Sequence, residues 1–166
     1  VNNWAMIETA KITILEINKN MPRCLGGGQE NIHVSQVDYI IEGHNPPLAT
    51  ITPSVPTEVE KKIASHIMER LYDGNCIQLG IGGIPNAVGT MIAESDLKDL
   101  GVHTEMYVDA YLKMSRAGKI TGARKNINKY KQVYSFVMGS AELYEYMDDN
   151  PGLASYNVDY TNNPFI

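Results

Sequence analysis

Cysteine is scarce in this chain: two residues, Cys24 and Cys76, in 166. Two thiols cannot build a structural metal cage, and so isolated a pair reads as free thiols in a reducing compartment, with Cys76 in a core strand. Histidine is almost as sparse. His33, His44, His66 and His103 are too scattered for metal-ligand spacing, so no metal site is expected. No apolar run approaches the ~20 residues that cross a bilayer. The opening residues Val1, Asn2, Asn3 and Trp4 lack the charged head and apolar stretch of a secretory leader, which makes a cytoplasmic protein the expectation. Positive charge is also in deficit, with 14 Lys and Arg against 19 Asp and Glu and a pI near 5.3. Neither nucleic acid nor a membrane is expected as a partner. The one basic cluster, residues 124–131 with Arg124, Lys125, Lys129 and Lys131, reads as a solvated loop or as a contact for a ligand's phosphates. There is no internal repeat and no low-complexity tract.

What is present alternates between strand and helix patterns. Residues 11–18 and 37–41 are β-branched runs that predict strands, separated by the turn-rich segment 20–31. Pro46, Pro47, Pro53 and Pro56 punctuate an extended stretch at 46–56, the best place for a boundary between two units. A helix follows it. Thr57 with Glu60 makes a capping box, Val59, Ile63, Ile67 and Leu71 form a stripe predicted to face the core, and Asp73 and Gly74 end the helix. Further elements are predicted as a helix at 109–117 with Asp109 as its cap, a strand at 132–138 and a helix at 140–147.

The most informative passage is Gly80-Ile81-Gly82-Gly83-Ile84-Pro85. Residues 76–79 read as a short buried strand running into it and residues 86–93 as the helix leaving it, an arrangement whose free amides can face a phosphate or a developing oxyanion. It is not a dinucleotide fingerprint, since Pro85 stands where a third glycine is needed, and no Gly-Lys-Ser/Thr follows to make a P-loop. The plain alternative is a structural strand-to-helix turn. Residues 102–107 read as the returning parallel strand, and Glu105 on it would then share the carboxyl edge of the sheet with the glycine turn, where ligands of open parallel sheets bind. In a regular strand His103 and Glu105 share one face and Thr104 takes the other. The plain alternative for Glu105 is a solvent-facing or salt-bridged strand residue.

The glycine turn and the His103-Thr104-Glu105 stretch together resemble the acetyl-CoA hydrolase/transferase family of coenzyme A transferases, in particular its 4-hydroxybutyrate and butyryl-CoA:acetate branch. The resemblance extends over residues 10–23 (AKITILEINKNMPR), 32–42 (IHVSQVDYIIE), 79–88 (LGIGGIPNAV), 100–110 (LGVHTEMYVDA), 118–123 and 158–165 (VDYTNNPF), in the expected order. It implies an α/β fold of the CoA-transferase type: an open, mainly parallel sheet flanked by helices. It also implies that the chain is a fragment of a two-domain protein, with residues 1–45 ending the N-terminal domain, 46–56 the linker, and 57–166 starting the C-terminal domain. Gly80, Ile81, Gly82, Gly83 and Ile84 would be the coenzyme A loop, Glu105 the nucleophile, and the main-chain N–H near Asn86 an oxyanion donor. The glycine-rich connection at 24–31 departs from the family pattern, which bears on local loop shape and not on the chemistry.

A glutamate suits the role, because a side chain that ionises near pH 4.3 (about the ordinary value) needs no separate base at neutral pH. Attack on an acyl-CoA would give an anhydride and then a glutamyl-CoA thioester, which a second carboxylate resolves with ping-pong kinetics. The expected activity is therefore CoA transfer between a short-chain acyl-CoA (4-hydroxybutyryl-, butyryl- or acetyl-CoA) and a carboxylate such as acetate. Coenzyme A enters as substrate, with no permanently bound cofactor and no metal, and the full-length protein is expected to be a homo-oligomer. Hydrolysis of acyl-CoA, a non-catalytic CoA-binding module and, by fold analogy alone, a sugar-phosphate isomerase are the other readings. The ten tyrosines, Tyr107, Tyr111, Tyr156 and Tyr160 among them, read as packing residues or as the lining of an acyl or adenine pocket.

Overall fold

The computed structural model describes residues 4–166; the leader reading of residues 1–3 lies outside the described residues. The chain opens with α1 (Trp4–Thr9), then β1 (Ile14–Ile17) pairs in parallel with β2 (Tyr39–Glu42), Ile14 opposite Tyr39. Ile14, Ile17, Tyr39, Ile40 and Ile41 of this pair are exposed. Residues 43–56 then run extended. Asn18 and Asn20 donate to the Pro46 carbonyl, the Tyr144 hydroxyl to that of Ala49 at 2.6 Å, and the Asn86 carboxamide to that of Ser54 at 3.0 Å.

The second part is built from α2 (Glu58–Met68), β3 (Cys76–Ile77), α3 (Gly83–Glu94), β4 (Gly101–Val102), β5 (Met106–Tyr107), α4 (Asp109–Arg116), β6 (Gln132–Tyr134), β7 (Phe136–Val137), α5 (Ala141–Met147), β8 (Leu153–Ser155) and the single turn α6 (Val158–Thr161). Every pairing is parallel: β3 with β4, β5 with β7, β6 with β8, and His103 with Val133 where β4 meets β6. The strands thus form one sheet, β3, then β4 and β5, then β6 and β7, then β8. The crossovers run in one direction and carry α3, α4 and α5 together, α3 meeting α4 and α4 meeting α5. The core lies there, with Val88 and Ile92, Tyr111 and Met114, and Leu143 and Met147 from the three helices packed on Leu100, Val102, Tyr107 and Leu153.

The helix predicted from residue 57 is capped as read: the Thr57 N–H donates to Glu60 Oε2 at 2.7 Å and the Glu60 N–H to Thr57 Oγ1 at 3.3 Å. Its expected core stripe is corrected. Val59, Ile63 and Ile67 are exposed, and the inward face of α2 is Ala64 with Met68, while Leu71 beyond its end does pack on the core. Cys76, expected in the core, is exposed because β3 is the edge strand. Asp109 is not the cap of α4, whose N-cap is Val108; its carboxylate accepts from the Ser140 N–H and hydroxyl and so ties α4 to the start of α5. The glycine-rich connection joins the sheet. Gly26 bridges Ser155 in parallel, with Ser155 N–H to Leu25 O at 2.9 Å and Gly27 N–H to Ser155 O at 3.0 Å.

Candidate active site

The site begins where the predicted strand 102–107 fails to be continuous. It is two short strands with a break at residues 103–105. The Thr104 hydroxyl donates to the Met106 carbonyl at 2.9 Å, a local bond that competes with regular pairing. The Glu105 carbonyl accepts from both Ser135 N–H, at 2.9 Å, and Phe136 N–H, at 3.0 Å. The pairing keeps its register through the break, with His103 opposite Val133 before it and Met106 opposite Phe136 after it, so the strand is interrupted without gaining a residue. The strand predicted at 132–138 is split at the same place, at Ser135.

Thr104 is buried at 1% exposure, whereas His103 and Glu105 both face α6. The His103 ring lies 5.8 Å from that of Tyr160, and Glu105 Oε2 accepts from Asn162 Nδ2 at 2.9 Å. Asn162 is the C-cap of α6. The Ser135 hydroxyl reaches Thr161 Oγ1 at 2.7 Å and donates to the Tyr156 carbonyl at 2.9 Å, so the residue whose N–H bonds the Glu105 carbonyl also seats the turn that holds its carboxylate. Burial, with the Lys125 charge second, pushes the His103 imidazole below its ordinary value.

Gly80, Ile81 and Gly82 form the exposed turn after β3. Gly82 is the N-cap of α3 at φ 120°, a conformation open to glycine. Gly83 and Ile84 already belong to the first turn of the helix, and among the described contacts their N–H groups have no protein acceptor outside it. The Asn86 N–H, in contrast, donates to the Gly82 carbonyl at 3.1 Å and is committed to the helix. The β3–β4 register sets Ile77 opposite Val102, and both strands end there, three residues short of Gly80 and of Glu105. Leu79, just before the turn, is held by Tyr111, whose hydroxyl accepts from the Leu79 N–H. Burial pushes the Tyr111 phenol up to about 12. A cleft of about 240 Å³ opens on the other side of the turn, between Ile81, Gly82, Asn86, the extended residues 51–54 and Met138. Glu105 does not line it.

Three of the four cations of the basic cluster have partners within the protein, and Lys129 is exposed. Lys125 is buried, and its Nζ donates to the Val102 and Lys131 carbonyls, both at 2.8 Å. Arg124 pairs with Asp99 at 3.0 Å and Lys131 donates to the Pro151 carbonyl. Tyr107, Tyr111 and Tyr134 are core residues. Among the described residues no group of His, Cys, Asp and Glu is arranged to hold a metal, and no helix is long and apolar enough to cross a membrane. Asn162, Thr161 and Ser135 were not identified as site residues from sequence. Their one sequence signal is that Thr161 and Asn162 fall in the family-like stretch 158–165.

The family model described as acetyl-CoA hydrolase/transferase N-terminal domain matches residues 2–52. Across all 166 residues the chain is 74% identical to the probable butyrate:acetyl-CoA coenzyme A-transferase of Syntrophomonas wolfei. The chain belongs to the acetyl-CoA hydrolase/transferase family. It is also 42% identical, over 96% of its length, to the 4-hydroxybutyrate coenzyme A transferase of Clostridium kluyveri. Among solved structures it superposes on the 4-hydroxybutyrate CoA-transferase of Porphyromonas gingivalis with a TM-score of 0.88, at 40% identity over 97% of the chain. For RipA of Yersinia pestis the TM-score is 0.91, at 35% identity over 99% of the chain. The parallel sheet flanked by helices is therefore the fold of this family. The chain spans 37% of the Syntrophomonas relative, 36% of the Clostridium one and 40% of the Porphyromonas structure.

Proposed function

We propose that this segment carries the nucleophile and the first coenzyme A loop of an enzyme that transfers CoA from a short-chain acyl-CoA, butyryl-CoA above all, to a carboxylate such as acetate. The observation that carries the reading is Glu105 itself: a carboxylate in a break of the sheet, one oxygen held by Asn162, just past the end of the β3–β4 pair from which the glycine turn also leaves. Glu105 Oε1 attacks the thioester carbonyl. A C–O bond forms, the C–S bond breaks, and CoA leaves as thiolate with the electron pair. The thiolate then attacks the glutamyl carbonyl of the anhydride, releasing the first acid and leaving a glutamyl-CoA thioester that the second carboxylate opens by the reverse sequence. Oxyanion donors aimed from the main chain are worth roughly 3 to 4 kcal/mol of barrier each. The uncommitted amides of Gly83 and Ile84 are better placed for this than the Asn86 N–H, while Gly80, Ile81 and Gly82 line the approach of CoA. The reading draws its substrates from the names borne by the Syntrophomonas and Clostridium relatives.

The domain reading belongs with it: residues 1–45 close an N-terminal domain, 46–56 link, and 57–166 open a second. It is supported by the extended run without regular structure and by the N-terminal-domain match at 2–52. Two unpaired thiols suit a reducing, cytoplasmic setting. The test is mass spectrometry of the full-length protein after incubation with butyryl-CoA. A CoA adduct or borohydride-trapped derivative on the Glu105 peptide is expected. Intact Glu105 while butyryl-CoA is consumed would overturn the covalent route, and consumption independent of acetate would replace transfer by hydrolysis.

A further inference from the structure

We propose that Asn128 is a positioning residue for Glu105, acting from the loop between α4 and β6 through a tyrosine pair and Asn162; the inference rests on the reading of Glu105 as nucleophile. Asn128 uses both ends of its carboxamide. Its Nδ2 donates to the Tyr156 hydroxyl at 3.0 Å and its Oδ1 accepts from the Tyr160 hydroxyl at 2.7 Å. The two rings are stacked, with centroids 4.3 Å apart and planes 19° from parallel. Asn128 also sits at φ 50°, in the left-handed region that asparagine tolerates better than most side chains. Few residues other than asparagine combine that backbone with a donor and an acceptor of this reach.

The clamp matters because of what it holds. Tyr160 lies in α6 and Tyr156 just before it, and α6 is four residues long, far below the length at which a helix holds itself. Its place is set by tertiary contacts: Ser135 on one side and the Asn128 clamp on the other. The end of α6 delivers Asn162 to Glu105 Oε2. The loop that carries Asn128 is itself pinned, since the Lys125 Nζ bonds join Val102 of β4 to Lys131. The contacts form a closed ring that leaves the strand at Val102 and returns to it at Glu105. A displaced clamp moves the Asn162 hand and lets the nucleophile swing.

The test uses the full-length protein with butyryl-CoA and acetate. Asn128→Gly keeps the left-handed backbone and removes only the carboxamide; Asn128→Asp keeps the acceptor for Tyr160 and loses the donor to Tyr156. Losing one hydrogen bond's worth of alignment is about a tenfold effect. We expect N128G to lower kcat and the single-turnover rate of adduct formation on Glu105 by about tenfold, with KM for butyryl-CoA within about twofold and the melting midpoint little changed. N128D is expected to lose less, and Tyr160→Phe combined with N128G is expected to be less than additive. Wild-type kcat and adduct rate in N128G would overturn the inference, as would a loss that appears only with a lowered melting midpoint. Glu105→Gln separates the two levels: an inactive E105Q beside an unimpaired N128G removes the clamp and leaves the nucleophile, whereas an active E105Q removes both.

Discussion

Asn162 donates to the Glu105 carboxylate at 2.9 Å from 57 residues away in the chain, and this is the contact that gives the carboxylate a direction. Hydrogen bonds to charged groups contribute about 1.5 to 3 kcal/mol. Asn162→Ala is therefore expected to lower kcat roughly 10- to 100-fold, with KM for the acyl-CoA nearly unchanged. Asn162→Asp should be worse, because it sets a second negative charge against the first. Steady-state kinetics on the full-length variants decide it.

Glu105→Gln keeps the shape and the Asn162 contact distance while removing the nucleophilic oxygen. Transfer and the CoA adduct should both vanish, and CoA affinity measured by calorimetry should hold within a few-fold. Retained turnover would end the assignment of Glu105.

The lowered His103 value has a consequence for stability against pH. In the unfolded chain this histidine titrates near about 6.5; in the fold, burial and Lys125 depress it. Between the two values the unfolded state holds more protons, so stability falls as pH drops below about 6.5 and levels off once the folded value is passed. Urea midpoints measured from pH 8 down to pH 5 should show that decline, and His103→Asn should flatten it.

Lys125 is the pin beneath the Asn128 loop. Lys125→Met keeps the stem and strands the Val102 and Lys131 carbonyls, at a cost of about 1 to 3 kcal/mol. Denaturant titration should register the loss, whereas a phosphate-binding role for this lysine would appear as a raised KM for CoA esters at unchanged stability.

Gly83 meets the Glu60 carboxylate, and a Cβ there would collide with it. Glu60 is not free to retreat, since Thr57 holds it through N–H and hydroxyl and keeps its carboxyl below the usual range. Gly83→Ala should loosen both the α2 cap and the start of α3, lowering the melting midpoint; Glu60→Ala, which removes the colliding group, should cost less in that background than in the wild type.

Features that rest on near neighbours were readable from the residues alone. The Thr57 and Glu60 capping box, the glycine turn running into α3 and the α/β alternation all depend on spacings of a few residues or on a local motif. Tertiary structure decided the rest. Val59, Ile63 and Ile67 show helical periodicity, yet periodicity defines a stripe and not what covers it, and here Ala64 faces α3. The strand through Glu105 breaks where the Glu105 carbonyl takes the N–H groups of both Ser135 and Phe136, some thirty residues on. Asn162 and Asn128 acquire their roles only when α6 and the loop before β6 fold onto that strand. Short-range hydrogen bonds and backbone propensities are written in the local sequence. The direction of one carboxylate depends on which distant strand and turn pack beside it.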